Sequence, residues 1–155
     1  MSSPQQTLKD RLTADLTAAM KSRDTVVTGT LRMALAAIRT EEVAGKAARQ
    51  LSDDEVLAVL IRETKKRKEA AEAFAAGGRA ELAEREQSEG AVLERYLPAQ
   101  LTDEELAETV REALAEAGVS SAKEMGPAMR AVRAKVGSRA AGGRVAEEVR
   151  RQIGG

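Results

Sequence analysis

The stretch Glu89–Leu106, EGAVLERYLPAQLTDEEL, decides how this chain is organised. Leu93, Tyr96 and Leu97 fall at i, i+3 and i+4, the apolar stripe of a helix near its end. Pro98 disfavours helical geometry at Leu97 and has no backbone N–H to donate. Thr102, followed three residues later by Glu105, reads as a capping box that opens a new helix. The stretch therefore predicts an interdomain hinge at Tyr96, Leu97 and Pro98, with Tyr96 and Leu97 available to pack one helical block on the other. It divides the chain into an N-terminal subdomain, 1–97, and a C-terminal subdomain, 98–155.

Upstream of the hinge the apolar residues recur at helical spacing. Leu8, Leu12, Leu16 and Met20 mark a first helix over 5–21. Asp24 is placed to cap a second, through Val27, Leu31, Leu35 and Ile38 to Val43, which Gly45 and Lys46 close. Ser52-Asp53-Asp54-Glu55 is a capping box with its carboxylates at the positive helix end, and it starts a third. Gly77-Gly78 breaks that helix, and a fourth runs from Arg79 to Tyr96. Downstream, a fifth helix spans 103–117 with Leu106, Val110 and Leu114 at four-residue spacing, and Gly118 ends it. Ser121 with Glu124 reads as a capping box for a sixth helix, in which Met125, Met129, Val132 and Val136 face inward. Pro127 either kinks this helix or moves its start to about Gly126. Gly137 ends it, and Val145, Val149 and Ile153 mark a last short helix. No two-residue alternation occurs, so the expected class is all-α: a four-helix block followed by a three-helix block.

Composition excludes several kinds of chemistry. There is no Cys and no His among the 155 residues. Thiol nucleophiles, disulfides, imidazole bases and His or Cys metal ligation are therefore ruled out. The acidic runs Asp53-Asp54-Glu55 and Asp103-Glu104-Glu105 sit where first-turn carboxylates are expected for capping alone. No catalytic residue, metal or cofactor is expected. No apolar run reaches the roughly 20 residues that span a bilayer, and MSSPQQTLKDRL lacks the apolar core of a signal peptide, so the expected location is cytoplasmic without a membrane partner.

The zero net charge is unevenly distributed. Residues 97–118 carry one basic and six acidic groups, a net −5; residues 119–155 carry eight basic and three acidic groups, a net +5. In the basic segment Arg130 and Arg133 are spaced i, i+3. Lys135, Arg139 and Arg144 flank a Gly-rich turn that opens the last helix, and such an end exposes N–H groups suited to phosphate. Arg62, Lys66 and Arg67 form a second basic cluster, distributed around its helix. These eight residues are the candidate nucleic-acid contacts, although an Arg/Lys cluster flanked by Glu63 and Glu69 is also what a solvated helix face carries. The C-terminal block has no aromatic residue, so base stacking has no support there.

Four stretches together resemble the GatB/YqeY family: LRMALAAIRTEEV (31–43), VLIRETKKRKEAAEAFAAGGRAELAEREQSE (59–89), LERYLPAQLTDEEL (93–106) and MGPAMRAVRAKVGSRAAGGRV (125–145). Each alone is an ordinary helical pattern; their order and spacing carry the resemblance. Stand-alone members are similar to the tail of the B subunit of the tRNA-dependent amidotransferase, which converts Glu or Asp on a mischarged tRNA to Gln or Asn. The resemblance implies an all-helical fold of two subdomains and a tail that contacts tRNA. The kinase and amidase centres lie in other domains of that enzyme. Ala141 stands where the family often has Asp, and Pro127 where it often has Lys; both remove polar groups from the implied RNA side. The functional expectation is a non-catalytic module that binds tRNA or another RNA, or associates with a tRNA amidotransferase. A protein–protein adaptor is the alternative from the opposed charge segments. A carbon–nitrogen ligase using glutamine as amide donor is implied by the family name alone.

Overall fold

Side-chain capping at Thr7, Asp24, Ser52 and Thr102 marks where four of the α-helices begin. The computed structural model describes residues 6–154; the expected helix start at Gln5 and the outermost domain limits, Met1 and Gly155, lie outside the described residues. Among the described residues the fold is all-α, with seven α-helices, two short 3-10 turns and no strand. The chain divides between Leu97 and Pro98 into two units.

In the N-terminal unit α1 (Leu8–Ser22) opens with a capping box: Thr7 Oγ1 accepts from the Asp10 N–H and the Asp10 carboxylate accepts from the Thr7 N–H. Arg23 ends it in the left-handed region at φ 58°. Asp24 then caps α2 (Thr25–Glu42) by accepting from the Val27 N–H at 3.1 Å. α2 stops at Glu42, short of the expected Gly45-Lys46 closure. The loop itself takes its last carbonyls: the Ala44 N–H bonds the Glu41 oxygen and the Arg49 N–H bonds the Glu42 oxygen. α3 (Asp53–Ala76) has the Ser52/Glu55 capping box. α4 (Ala80–Glu94) ends two residues before Tyr96. Ahead of Pro98 the chain tightens into three-residue turns, with the Arg95, Tyr96 and Leu97 N–H groups bonding the Val92, Leu93 and Glu94 carbonyls. Leu12, Leu31, Ile38, Val56, Leu60 and Leu93 form the core, supported by Tyr96 and Leu97 at its edge. Each fully buried Leu or Ile contributes roughly 1.5–3 kcal/mol. Tyr96 and Leu97 thus pack at the edge of the N-terminal unit's own core.

In the C-terminal unit α5 (Asp103–Ala117) has the Thr102/Glu105 capping box and ends on Gly118 at φ 68°. Ser121 does not form a box with Glu124; its Oγ accepts from the Lys123 N–H, and residues Ala122–Glu124 make a 3-10 turn. α6 therefore begins at Met125. That start puts Pro127 in the first turn, where a missing N–H leaves no hydrogen bond unmade, so of the two readings the later start holds and no kink is required. After Gly137 a second 3-10 turn leads to α7 (Gly142–Ile153). Val110, Val132, Val136 and Val149 are almost fully buried, with Leu106, Leu114 and Ala128 around them and Met125 and Met129 half-buried at the rim. The Leu101 N–H bonds the Arg139 carbonyl at 2.7 Å, fastening the segment before α5 to the turn after α6. No helix among the described residues is long and apolar enough to cross a membrane.

Candidate nucleic-acid interface

The five candidate residues of the C-terminal unit fall into two groups. Lys135 extends from α6 to α5, with its Nζ 2.7 Å from Glu116 and 3.6 Å from Glu112. The bond to Glu116 holds its ammonium above the usual lysine value. Arg139 donates from Nη2 to the Lys135 carbonyl at 2.8 Å and from Nε to the Val136 carbonyl at 3.2 Å. It thereby satisfies carbonyls left open at the end of α6. Arg144 donates to the Leu101 carbonyl at 2.9 Å and to Asp103 at 3.0 Å. These three side chains serve the fold of their own unit. The opposed charge segments read from sequence accordingly meet inside it, α5 carboxylates against α6 and α7 cations.

Arg130 and Arg133 are different. Both are exposed on α6, and neither is in an ion pair with any described residue. Their spacing puts them on one side of the helix. Gly126, Pro127, Ala134 and Gly137 are also exposed there. Small neighbours let a polymer backbone approach the two guanidiniums closely. A Cβ at Gly126 would stand in ordinary contact, 3.8 Å, with Arg130 Nη1, so the guanidinium lies over this glycine. At the start of α7, Ala141 supplies no side-chain cap, so the first-turn N–H groups are left to solvent or a ligand.

In the N-terminal unit the second basic cluster is drawn into ion pairs. Arg62 lies 3.5 Å from Glu41 and Lys66 3.1 Å from Glu63, both as exposed cations. Arg67 is only 19% exposed and faces α4, with Glu63, Glu86 and Glu89 at 3.3, 3.3 and 3.8 Å. A guanidinium so enclosed by carboxylates is not available to phosphate, so Arg67 belongs to the structure of the hairpin and not to a surface ridge. Sequence reasoning missed this knot, yet a signal existed. Val56, Leu60, Glu63, Arg67 and Phe74 share the three-, four- and seven-residue spacing of one helix face, and that face is the buried one.

Tyr96 lines an open cleft of about 460 Å³ together with Arg11, Asp15, Asp24 and Arg95. Its hydroxyl donates to Asp15 at 2.5 Å, and the Arg11 guanidinium lies 4.7 Å from its ring centre. Burial first, and then the Asp15 carboxylate, push its pKa above the usual tyrosine value. Among the described residues no group of three or more acidic side chains is placed to hold a metal ion.

A family model described as Yqey-like protein matches residues 9–153. The chain belongs to the YqeY-like family. The match runs from α1 to the last residue of α7, so both units of this YqeY-like chain lie within it. The chain is also similar to an uncharacterized protein of Schizosaccharomyces pombe, 41% identical over 81 residues. That alignment covers 52% of this chain and 63% of the relative, so it spans less than two thirds of the relative's length.

Proposed function

We propose that this YqeY-like protein is a non-catalytic module that binds RNA, tRNA foremost, and that Arg130 and Arg133 make the contact. The observation that carries the reading is the pair of exposed guanidiniums, without an ion-pair partner among the described residues, on a helix side otherwise made of small residues. A guanidinium held free of carboxylates keeps its donors for phosphate, and its planar fork suits bidentate pairing with phosphate oxygens. The uncapped start of α7 adds N–H donors of the same preference. Residues 98–155 contain no aromatic side chain, so recognition runs through the RNA backbone and shape, not base stacking. Association with a tRNA amidotransferase follows from the GatB resemblance and would deliver such a module to its RNA.

The adaptor reading has less support, because the charge separation that motivated it is largely used within the C-terminal unit, by Lys135 with Glu112 and Glu116 and by Arg144 with Asp103. Retention of bulk tRNA on a filter at low salt tests the proposal. The wild type retains tRNA; Arg130→Ala with Arg133→Ala weakens it at least about tenfold, the equivalent of ~1.4 kcal/mol. Lys135→Ala, whose ammonium is paired, changes it by less than half as much on a logarithmic scale. Absence of retention, or retention indifferent to the double substitution, refutes the proposal.

A further inference from the structure

α2 buries one side only. Leu31, Ala34 and Ile38 turn into the core. On the opposite side Val26, Gly29, Met33, Ala36, Thr40 and Val43 follow one another in alternating steps of three and four residues. That is the spacing of a seam along which a second helix packs. All but the half-buried Met33 are exposed. Val26 and Val43 are 44% and 52% exposed, and Met20 on α1, 49% exposed, adjoins them through Arg32, whose Nη2 lies 3.8 Å from its sulfur. These three are most of the large apolar side chains left exposed among the described residues; Ile61 is the other. Arg32 and Arg39 stand seven residues apart along one edge of the seam. Both are exposed, and neither has an ion-pair partner among the described residues. The two carboxylates of α2 are engaged elsewhere, Glu41 by Arg62 and the buried Glu42 by Lys9. This side of the helix therefore carries arginine and methionine and lacks lysine, aspartate and glutamate, the bias that separates the centre of a protein interface from ordinary surface.

We infer that this side of α2 docks an acidic amphipathic helix of another protein, with carboxylates seven residues apart opposite Arg32 and Arg39. Charge complementarity selects that occupant. A second copy of the same face would bring four guanidiniums together with no carboxylate between them, so the face does not pair with itself. Phosphates would meet the arginines but leave Val26, Val43 and Met20 in water. Gly29 and Ala36 let the two helices approach closely, so the partner supplies the large apolar side chains of the seam. The helix has 18 residues, and its exposed side measures about 27 Å by 10 Å. That is well under the roughly 800 Å² each partner buries in a stable complex, so the contact is transient, with a dissociation constant on the order of micromolar or weaker. It lies in the N-terminal unit and stands whether or not RNA binds at Arg130 and Arg133.

The test is a titration of the full chain, followed by backbone amide shifts, with three synthetic peptides of three heptads each. The first has leucine at the seam positions and glutamate beside them, whose mutual repulsion keeps it from pairing with itself. The second has lysine in place of glutamate, and the third has serine in place of leucine. The first is expected to give saturable shifts centred on Gly29, Arg32, Ala36 and Arg39; the other two bind at least about tenfold more weakly. Arg32→Glu with Arg39→Glu, both at exposed positions, inverts the preference, so that the lysine peptide binds the tighter. Arg130→Ala with Arg133→Ala leaves peptide binding unchanged. No saturable shift with the acidic peptide, equal binding of its serine counterpart, or an affinity indifferent to the double charge reversal overturns the inference. So does a shift of these amides by tRNA or by vesicles of anionic lipid where the acidic peptide gives none, or self-association of the full chain that Ala36→Glu abolishes; these outcomes assign the face to nucleic acid, to a membrane or to a second copy. The peptide comparison decides the matter on the wild type alone if the charge-reversed variant does not fold.

Discussion

Replacing Arg67 with alanine should be the most damaging single substitution of a charged residue in the N-terminal unit. The guanidinium sits between α3 and α4 and holds Glu63, Glu86 and Glu89, whose side chains are 9%, 17% and 19% exposed. At the 3.3 Å separation of its two closest pairs, each attraction is about 5 kcal/mol at an effective dielectric constant near 20, before desolvation is subtracted. The net worth of the knot is far smaller, because four charges have been taken from water. Removing the one cation common to all three contacts nevertheless leaves carboxylates enclosed without their partner, a loss of about 3–5 kcal/mol. Lys66 and Arg85 still reach Glu63 and Glu89, but both cations are largely exposed and compensate little. For a unit of this size the unfolding midpoint falls by roughly 4–8 °C per kcal/mol. Thermal and urea unfolding followed by far-ultraviolet circular dichroism reads the effect. Arg62→Ala, which breaks an exposed pair with Glu41, is the control and shifts stability by no more than about 1 kcal/mol. Adding Glu86→Gln and Glu89→Gln to Arg67→Ala recovers part of the loss, since the stranded charges go with them. An Arg67→Ala effect no larger than that of Arg62→Ala refutes the reasoning.

Two further substitutions probe the backbone and the Tyr96 cleft. Gly137→Ala places a Cβ at φ 59°, ψ −133°, a conformation nearly confined to glycine, and should destabilise the C-terminal unit by about 1–3 kcal/mol; a neutral result in urea unfolding would mean the turn relaxes freely. Tyr96 is the only tyrosine and there is no Trp, so its ionisation is readable as absorbance at 295 nm. The midpoint should lie above the ordinary tyrosine value of about 10, because burial and Asp15 disfavour the phenolate. The unfolded chain ionises first, so the advantage of the wild type over Tyr96→Phe is whole below about pH 10 and declines as pH rises from there toward the folded value. An unshifted midpoint contradicts the hydrogen bond to Asp15.

Much of this molecule was legible from local chemistry. The Ser52/Glu55 and Thr102/Glu105 boxes each use a hydroxyl and a carboxylate three residues apart, and both form as read. The turn at Gly118 follows from one residue type. These are short-range decisions that neighbouring residues settle among themselves. The failures have longer-range causes. α2 ends at Glu42, within one residue of the Val43 read from the sequence, but its closure comes from Arg49, whose N–H takes the Glu42 carbonyl, and not from Gly45-Lys46. Ser121 and Glu124 do not form a box because Pro127 moves the helix start past them. The basic clusters were visible as composition, but which cations remain free depends on pairing across helices. Arg67 meets Glu86 nineteen residues away and Arg144 meets Asp103 across forty-one. A linear spacing rule cannot separate those from Arg130 and Arg133, which have the same residue type and no such partner among the described residues.

The dependence of tRNA affinity on salt measures the central claim most directly. If Arg130 and Arg133 each neutralise one phosphate, log K against log salt concentration should be steeply negative for the wild type. Arg130→Ala with Arg133→Ala should then reduce the magnitude of its slope by about 1.4–1.8, two contacts at roughly 0.7–0.9 each. An unchanged slope in the double variant, or affinity that does not respond to salt, would contradict it.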